Sequence, residues 1–91
     1  MTTSVLFVSE VLKIDVPSLD ADVLSRIHIA IDQKLKTHPD MFGKPLRQSL
    51  RSHRSLRVGD FRIVYRIDGR IVRIVAIRHR RDVYAIAEKR I

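Results

Sequence analysis

Residues 53–79 read HRSLRVGDFRIVYRIDGRIVRIVAIRH, and this stretch predicts three antiparallel strands joined by two tight turns. The pairs Gly59-Asp60 and Asp68-Gly69 separate runs rich in β-branched residues, which is the sequence pattern of two-residue hairpin turns. The strands predicted on this basis are His53–Val58, Phe61–Ile67 and Ile71–Arg78.

Two-residue turns also set the register, with Val58 opposite Phe61 and Ile67 opposite Arg70, and hence the face on which each side chain lies. The face predicted to form the core carries Leu56, Val58, Phe61, Ile63, Tyr65, Val72, Ile74 and Ala76. The opposite face carries His53, Ser55, Arg57, Arg62, Val64, Arg66, Arg73, Val75 and His79. A slip of one residue would turn the arginines toward the core, where unpaired charges are costly.

The rest of the chain supplies one more strand and the helices. Ser4–Val8 is a short apolar strand, and Leu24, Ile27, Ile31 and Leu35 recur at helical spacing. Residues 39–52 are punctuated by Pro and Gly and predict a loop, whereas Asp82–Ile91 predicts a short terminal helix. We therefore predict a single domain over residues 1–91. Its fold class is α+β in two layers, an antiparallel sheet of the N-terminal strand and the three-strand meander with helices packed on one face.

The net charge of +8 is concentrated in the half of the chain that holds the meander. Residues 1–43 contain four Lys or Arg against six Asp or Glu, and residues 44–91 contain fourteen against four. Thirteen of the eighteen cations are arginine, whose planar fork suits phosphates and carboxylates. The pattern indicates a polyanionic partner, which could be nucleic acid, an anionic membrane or an acidic protein segment. The alternative is a basic surface that is only solvated and has no such partner.

Composition also limits the other classes of function. The chain has no cysteine, and its four histidines lie 10, 15 and 26 residues apart, unlike zinc ligands, so we expect no metal and no other cofactor. No stretch approaches the roughly 20 apolar residues of a membrane span, and no signal peptide is evident at the N-terminus. We expect no membrane association and a cytoplasmic location.

One reaction to consider for the arginine face is RNA cleavage by attack of a ribose 2′-hydroxyl on the adjacent phosphate. That reaction needs stabilisation of charge on the phosphate oxygens, which arginine supplies, and proton transfer, which arginine does not supply at neutral pH. His53 and His79 are the natural proton carriers on this face, and Tyr84 is a proton donor or a platform for a base. Arg62 departs most from a purely structural interpretation because it lies mid-strand at the centre of the sheet.

Plainer interpretations stand beside these. Arg66 and Arg73 on an exposed strand face are explained by solvation or by pairing with acids. His53 at the start of a strand is explained as an exposed bystander, and Tyr84 as a packing residue of the last segment.

Three motifs resemble the RelE/ParE superfamily of toxins: Lys44-Pro45-Leu46-Arg47, the run Leu56–Tyr65 (LRVGDFRIVY) and His79-Arg80-Arg81-Asp82-Val83-Tyr84. The resemblance covers nearly the whole chain and favours a RelE-like member. It implies a toxin of a type II toxin–antitoxin system that enters the ribosomal A site and cuts messenger RNA without a metal. It also implies a cognate antitoxin as partner, together with the ribosome and its mRNA.

The resemblance assigns roles to individual residues. Arg62 matches the arginine that stabilises the transition state, Arg80 a second catalytic arginine, Tyr84 the terminal tyrosine, and Arg47 a basic position that contacts RNA. Two lysines are expected on the strand before Arg62, where this sequence has His53 and Ser55. His53 or His79 is therefore expected to replace the missing proton-transfer lysine.

The residues expected to bind RNA phosphates are Arg47, Arg54, Arg57, Arg66, Arg73 and Arg81. The absence of the lysines also favours one alternative, a ParE-like toxin that poisons DNA gyrase and has no nuclease activity. The remaining alternative is a non-catalytic module that only binds an antitoxin.

Overall fold

The computed structural model describes residues 3–91 and contains one five-stranded sheet. The strands are β1 (Ser4–Phe7), β2 (Lys44–Pro45), β3 (Arg54–Val58), β4 (Phe61–Asp68) and β5 (Ile71–His79). The helices are α1 (Val16–Ser18), preceded by a π-helical turn Val11–Asp15, α2 (Ala21–Ala30), continued by a π-helical turn Ile31–Leu35, and α3 (Val83–Arg90). A 3₁₀ turn spans Gln48–Leu50.

The sheet order is β1-β5-β4-β3-β2, in which β1 runs parallel to β5 and the other neighbours are antiparallel. The predicted N-terminal strand, the meander and the α+β class are confirmed. The segment 39–52 was predicted as a loop, but it contains β2, which pairs with β3 at the edge of the sheet. No helix among residues 3–91 has the length and apolarity needed to cross a membrane.

The main core lies between the sheet and the two N-terminal helices. Buried Ile27, Ile31 and Leu35 pack against Ile63 and Tyr65 of β4, together with Leu56, Val72, Ile74 and Ile77 of the neighbouring strands. Leu24, which was predicted in the same stripe, is 37% exposed. Burial of this one apolar face is the largest stabilising contribution to the fold.

The C-terminal helix packs on the opposite face, where the sequence predicted no helix. Val83 and Ala87 of α3 contact Val64, Val75 and Ala76, and with Leu50 they form a second buried cluster. The prediction that all helices lie on one face is therefore wrong for α3. The physical reason is that Val64 and Val75 interrupt the arginine face with buried apolar surface, which needs a cover.

The register of the meander agrees with prediction at the first turn. Val58 is opposite Phe61, and Gly59 has φ +60°, as a two-residue hairpin turn requires. At the second turn Asp68, rather than Ile67, is the last paired residue, and it lies opposite Ile71. The turn residues are therefore Gly69 and Arg70, and the partner of Ile67 moves by two residues, from Arg70 to Val72, so side chains near this turn keep their predicted faces.

A β-bulge changes the faces along the rest of β5. Val64 is opposite Ala76 but Tyr65 is opposite Ile74, so Val75 is an extra residue in β5. Beyond the bulge, Ala76 lies with Val64 on the face of α3, which contradicts its predicted place in the main core. Ile77 occupies that core place instead, and the side chains at the end of β5 exchange faces.

Candidate active site

A surface cavity of about 340 Å³ opens on the face that carries α3. It is lined by Lys44, Ser55, Arg57, Arg62 and Tyr84, which come from β2, β3, β4 and α3. Arg57, Arg62 and Tyr84 were predicted as site residues, and the fold brings all three together. The cavity thus combines three cations with two hydroxyl groups.

Arg57 and Arg62 lie directly opposite each other on adjacent strands. Two like charges in this position destabilise a sheet. None of the ion pairs among residues 3–91 involves Arg57, Arg62 or Lys44. These three cations are therefore available to an external anion.

A second pair of arginines, Arg66 and Arg73, also lies directly opposite on adjacent strands. An acidic residue of the chain itself neutralises this pair. Asp68 accepts from Nε of Arg66 at 2.8 Å and from Nε of Arg73 at 3.5 Å. The alternative interpretation of these two arginines, pairing with acids, matches this geometry. The contrast identifies Arg57 and Arg62 as the pair left for a ligand.

The turn between β3 and β4 holds the guanidinium of Arg62 in place. Its Nη1 donates to the carbonyl oxygens of Gly59 at 2.9 Å and Phe61 at 2.8 Å. Among the described residues, its hydrogen bonds use Nη1 alone, so Nε and Nη2 remain free. Those two donors form the fork that binds two oxygens of one phosphate.

Tyr84 reaches the cavity from the first turn of α3. Its hydroxyl lies 3.1 Å from Oγ of Ser55, and the residue is 36% exposed. The helix is fixed at both ends, because Arg78 contacts Asp82 at 3.2 Å and Arg90 contacts the buried Asp15 at 2.8 Å. The ring of Tyr84 is thereby held beside the cations as a platform on which a base can stack.

Beside Ser55, the cavity residue that the sequence-based site prediction missed is Lys44. It lies opposite Ser55 in the two-residue strand β2, so both side chains are on the same face of the sheet. One signal was present in the sequence: the residue before a proline favours extended backbone, and Lys44 precedes Pro45. That signal does not indicate the strand with which Lys44 pairs.

His53 lies just before β3 and lines a different cavity. Only 5% exposed, it lines a space of about 190 Å³ with Pro45, Arg51, Ser52, Arg54 and Ile67. Burial, followed by the nearby charge of Arg66, lowers the pKa of its imidazole. Its Nδ1 is 3.2 Å from the hydroxyl oxygen of Ser52. His53 is therefore built into the edge of the sheet and does not border the cavity that holds Arg62.

His79 is on the face opposite Arg62, contrary to the sequence prediction. The bulge places it opposite Phe61, and the two rings meet edge to face at 5.6 Å. Arg78 takes the place opposite Arg62 instead, where it pairs with Asp15 and Asp82. A role for His79 in proton transfer at this cavity has no geometric support.

The remaining predicted arginines lie outside the cavity lining. Nε and Nη2 of Arg54 donate to the carbonyl oxygens of Phe42 and Gly43, an arrangement that braces the loop before β2. Arg47 is exposed beside the 3₁₀ turn.

Arg80 and Arg81 follow β5. The backbone N–H of Arg80 donates to the Asp60 carbonyl at 2.8 Å, and its side chain is 62% exposed. The backbone N–H and Nε of Arg81 both donate to Nδ1 of His79. Arg80 is thereby held against the same turn that fixes Arg62.

A larger cavity of about 550 Å³ lies beside β1, with His28, Asp32 and Lys36 on its wall. These groups pair with one another, with Lys36 to Asp32 at 2.9 Å and His28 to Asp32 at 3.2 Å. The hydrogen bond from Lys36 lowers the pKa of the Asp32 carboxyl. Internal pairing of its charges makes this cavity a weaker candidate for an anion. Within residues 3–91, no group of three or more His, Cys, Asp or Glu is placed to hold a metal ion.

Comparison with known families identifies the chain at the family level. Residues 6–84 match the family described as ParE toxin of type II toxin–antitoxin systems, parDE. The chain belongs to this toxin family. The predicted membership of the RelE/ParE superfamily is confirmed, and the matched range includes every residue that lines the cavity.

Two other similarities place this ParE-family chain close to proteins with RelE-type names. It is 42% identical over 52 residues to Toxin RelG of Mycobacterium tuberculosis, a stretch covering 55% of this chain and 60% of that toxin. It superposes with a TM-score of 0.80 and 30% identity on a chain in the crystal structure of the toxin–antitoxin complex RelBE2 from M. tuberculosis. That alignment covers 88% of this chain and all of the other.

The fold extends to a more distant protein as well. The solution structure of the conserved hypothetical protein HP0894 from Helicobacter pylori aligns with a TM-score of 0.62 over 87% of this chain and 96% of that chain. The identity is 13%, so this similarity shows a shared fold alone.

Proposed function

We propose that this toxin is a ribosome-dependent endoribonuclease that cleaves messenger RNA in the ribosomal A site, with no metal in the reaction. The observation that carries the proposal is the opposed pair Arg57 and Arg62, which has no acidic partner among residues 3–91. Together with Lys44 and the Tyr84 platform, it forms a cavity suited to one phosphate and one base. This is the activity that resemblance to RelE-like toxins implies.

The proposed roles follow from the geometry. The free Nε and Nη2 of Arg62 bind the non-bridging oxygens of the scissile phosphate and stabilise the charge that develops on them. Arg57, opposite on β3, adds a second positive charge at the same phosphate. Tyr84 stacks on a neighbouring base and is oriented by Ser55.

The protein that we propose as the binding partner of the toxin is a cognate antitoxin. The solved structure with a TM-score of 0.80 is a toxin–antitoxin complex, and the C-terminal half of this chain carries ten more positive than negative charges. An antitoxin segment with acidic and apolar residues complements a surface of this kind. The ribosome and its mRNA would be met in the cytoplasm.

Primer extension on mRNA in a reconstituted translation reaction tests the nuclease activity. The full chain is expected to cut mRNA only when ribosomes are present, and Arg62→Ala is expected to abolish the cut. Arg70→Ala is the matched control, because Arg70 is exposed in the β4–β5 turn and lies outside the cavity lining. Cleavage of naked RNA without ribosomes would contradict the ribosome dependence. Ribosomes themselves need magnesium, so metal cannot be removed from the reaction. Whether the toxin uses a metal is therefore judged from the metal content of the purified toxin.

The alternative is a toxin that poisons DNA gyrase, and the matched ParE family model is the observation that favours it. The same protein is therefore added to gyrase and supercoiled DNA. Intact mRNA together with gyrase-dependent DNA breaks would replace the nuclease proposal with this one. Intact mRNA and intact DNA would favour a non-catalytic module that only binds its antitoxin.

A further inference from the structure

The cavity provides cations in excess but few groups that transfer a proton. Two of its three cations are arginines, which stay protonated at neutral pH and serve only to bind charge. His53 lines another cavity, and His79 lies on the other face of the sheet. The candidates left in the lining are Lys44, Tyr84 and Ser55.

Lys44 is held in the cavity by the pairing of β2 with β3 and by a side-chain contact to the residue before it. It pairs with Ser55, while the following Pro45 pairs with Arg54. The carbonyl oxygen of the preceding Gly43 accepts from Nη2 of Arg54 at 3.0 Å. The backbone of Lys44 is thus fixed in an extended conformation, and its side chain projects from the same face as Ser55.

The ammonium of Lys44 is free to act on a substrate. The ion pairs among residues 3–91 do not include it, and the residue is exposed. An ammonium, unlike a guanidinium, can lose its proton, so it is suited to protonate a leaving group. The hydroxyl of Tyr84, by contrast, already shares a hydrogen bond with Oγ of Ser55 at 3.1 Å.

We propose that Lys44 is the general acid of the cleavage reaction, an assignment that rests on the proposed ribonuclease function. The ribose 2′-oxygen forms a bond to phosphorus as the bond from phosphorus to the 5′-oxygen breaks. The Lys44 ammonium gives its proton to the departing 5′-oxygen, and the 2′-hydroxyl proton passes to water in the open cavity. The products are a 2′,3′-cyclic phosphate and a 5′-hydroxyl, and the neutral amine regains its proton from water.

The resemblance to RelE-like toxins implies proton-transfer lysines on the strand before Arg62. In this assignment Lys44, on the edge strand β2, supplies the proton instead. Ser55 occupies one of those strand positions, and Lys44 lies directly opposite it. An ammonium from Lys44 therefore lies beside the strand position at which RelE-like toxins are expected to have a lysine. It also accounts for the proposed cleavage activity of a chain that has Ser55 at this place.

The test compares two ribosome-bound mRNAs, one natural and one with sulfur in place of the bridging 5′-oxygen at the cleaved position. A thiolate leaves without protonation, so loss of a general acid matters only for the oxygen substrate. The variants are Lys44→Ala, Lys44→Arg and Tyr84→Phe, with Lys13→Ala as a control on an exposed lysine of the first helical segment. Thermal unfolding of each variant establishes that it is folded.

We expect both Lys44 variants to cleave the oxygen substrate about 100-fold or more slowly than wild type, and to cleave the sulfur substrate at nearly the wild-type rate. Retained cleavage of the oxygen substrate by Lys44→Arg would overturn the assignment, because it would show that only the charge matters. Equal losses on both substrates would overturn it too. If the sulfur substrate restored the cleavage rate of Tyr84→Phe but not that of Lys44→Ala, Tyr84 would be the general acid instead of Lys44. If wild type cuts neither substrate, the ribonuclease proposal itself fails.

Discussion

Arg90 in the last turn of α3 donates two hydrogen bonds to the carboxylate of Asp15, from Nη1 to Oδ2 at 2.8 Å and from Nη2 to Oδ1 at 3.0 Å. Asp15 is completely buried, and it also accepts the backbone N–H of Ile77 at 2.9 Å. The contact with Asp15 raises the pKa of the Arg90 guanidinium. This pair ties the C-terminal helix, and with it Tyr84, to the N-terminal half of the chain.

Replacing Arg90 with Met is expected to lower the free energy of unfolding by about 3–5 kcal/mol, because it leaves the Asp15 carboxylate buried without its main partner. Urea unfolding measures the change. Arg81→Met is the control, since Arg81 is exposed and its substitution should cost less than about 0.5 kcal/mol. A loss of stability no larger for Arg90→Met than for Arg81→Met would contradict the role given to the pair.

Gly43 and Gly69 both have positive φ angles, of +80° and +61°, but their surroundings differ. A Cβ on Gly43 would overlap the hydroxyl of Tyr65, whereas a Cβ on Gly69 would have no atom within 4 Å. Each Gly→Ala change costs about 1–2 kcal/mol for the left-handed backbone, and Gly43→Ala should cost a further 1–3 kcal/mol or so for the overlap. Thermal or urea unfolding of the two variants measures the difference, and equal losses would contradict the close packing of Tyr65 on this loop.

His53 makes stability depend on pH. Burial lowers the pKa of its imidazole from the ordinary 6.5, so below that pH the unfolded chain binds a proton that the folded chain does not. The free energy of unfolding should therefore fall as pH drops below 6.5, and it should not change through this group above that pH. Urea unfolding between about pH 5 and pH 8 measures the slope. His53→Gln should reduce it, and an unchanged slope in that variant would show that His53 is not the cause.

The fold was largely predictable because strand alternation and turn chemistry are local. The turn Gly59-Asp60 fixed the pairing of β3 with β4, and with it the shared face of Arg57 and Arg62. The bulge at Val75 has no comparable local signal, because apolar residues continue on both sides of it. It nevertheless decides that Arg78 joins the site face and His79 leaves it.

The site was less predictable because it depends on contacts between distant segments. Lys44 reaches the cavity through pairing with β3 in a segment that has Pro and Gly around it. The position of Tyr84 depends on α3, which is fixed by Asp15, 75 residues before Arg90. Neither contact follows from a periodic pattern, since each requires two remote residues to meet in the folded chain.

The most direct test of the nuclease account is the single-turnover rate of ribosome-bound mRNA cleavage by Arg62→Lys. The lysine keeps the charge but loses the two-donor fork, so the rate is predicted to fall by about 100-fold or more. Arg70→Lys, an exposed change outside the cavity lining, is predicted to cleave at the wild-type rate. Cleavage by Arg62→Lys at the wild-type rate would contradict the claim that this arginine binds the scissile phosphate.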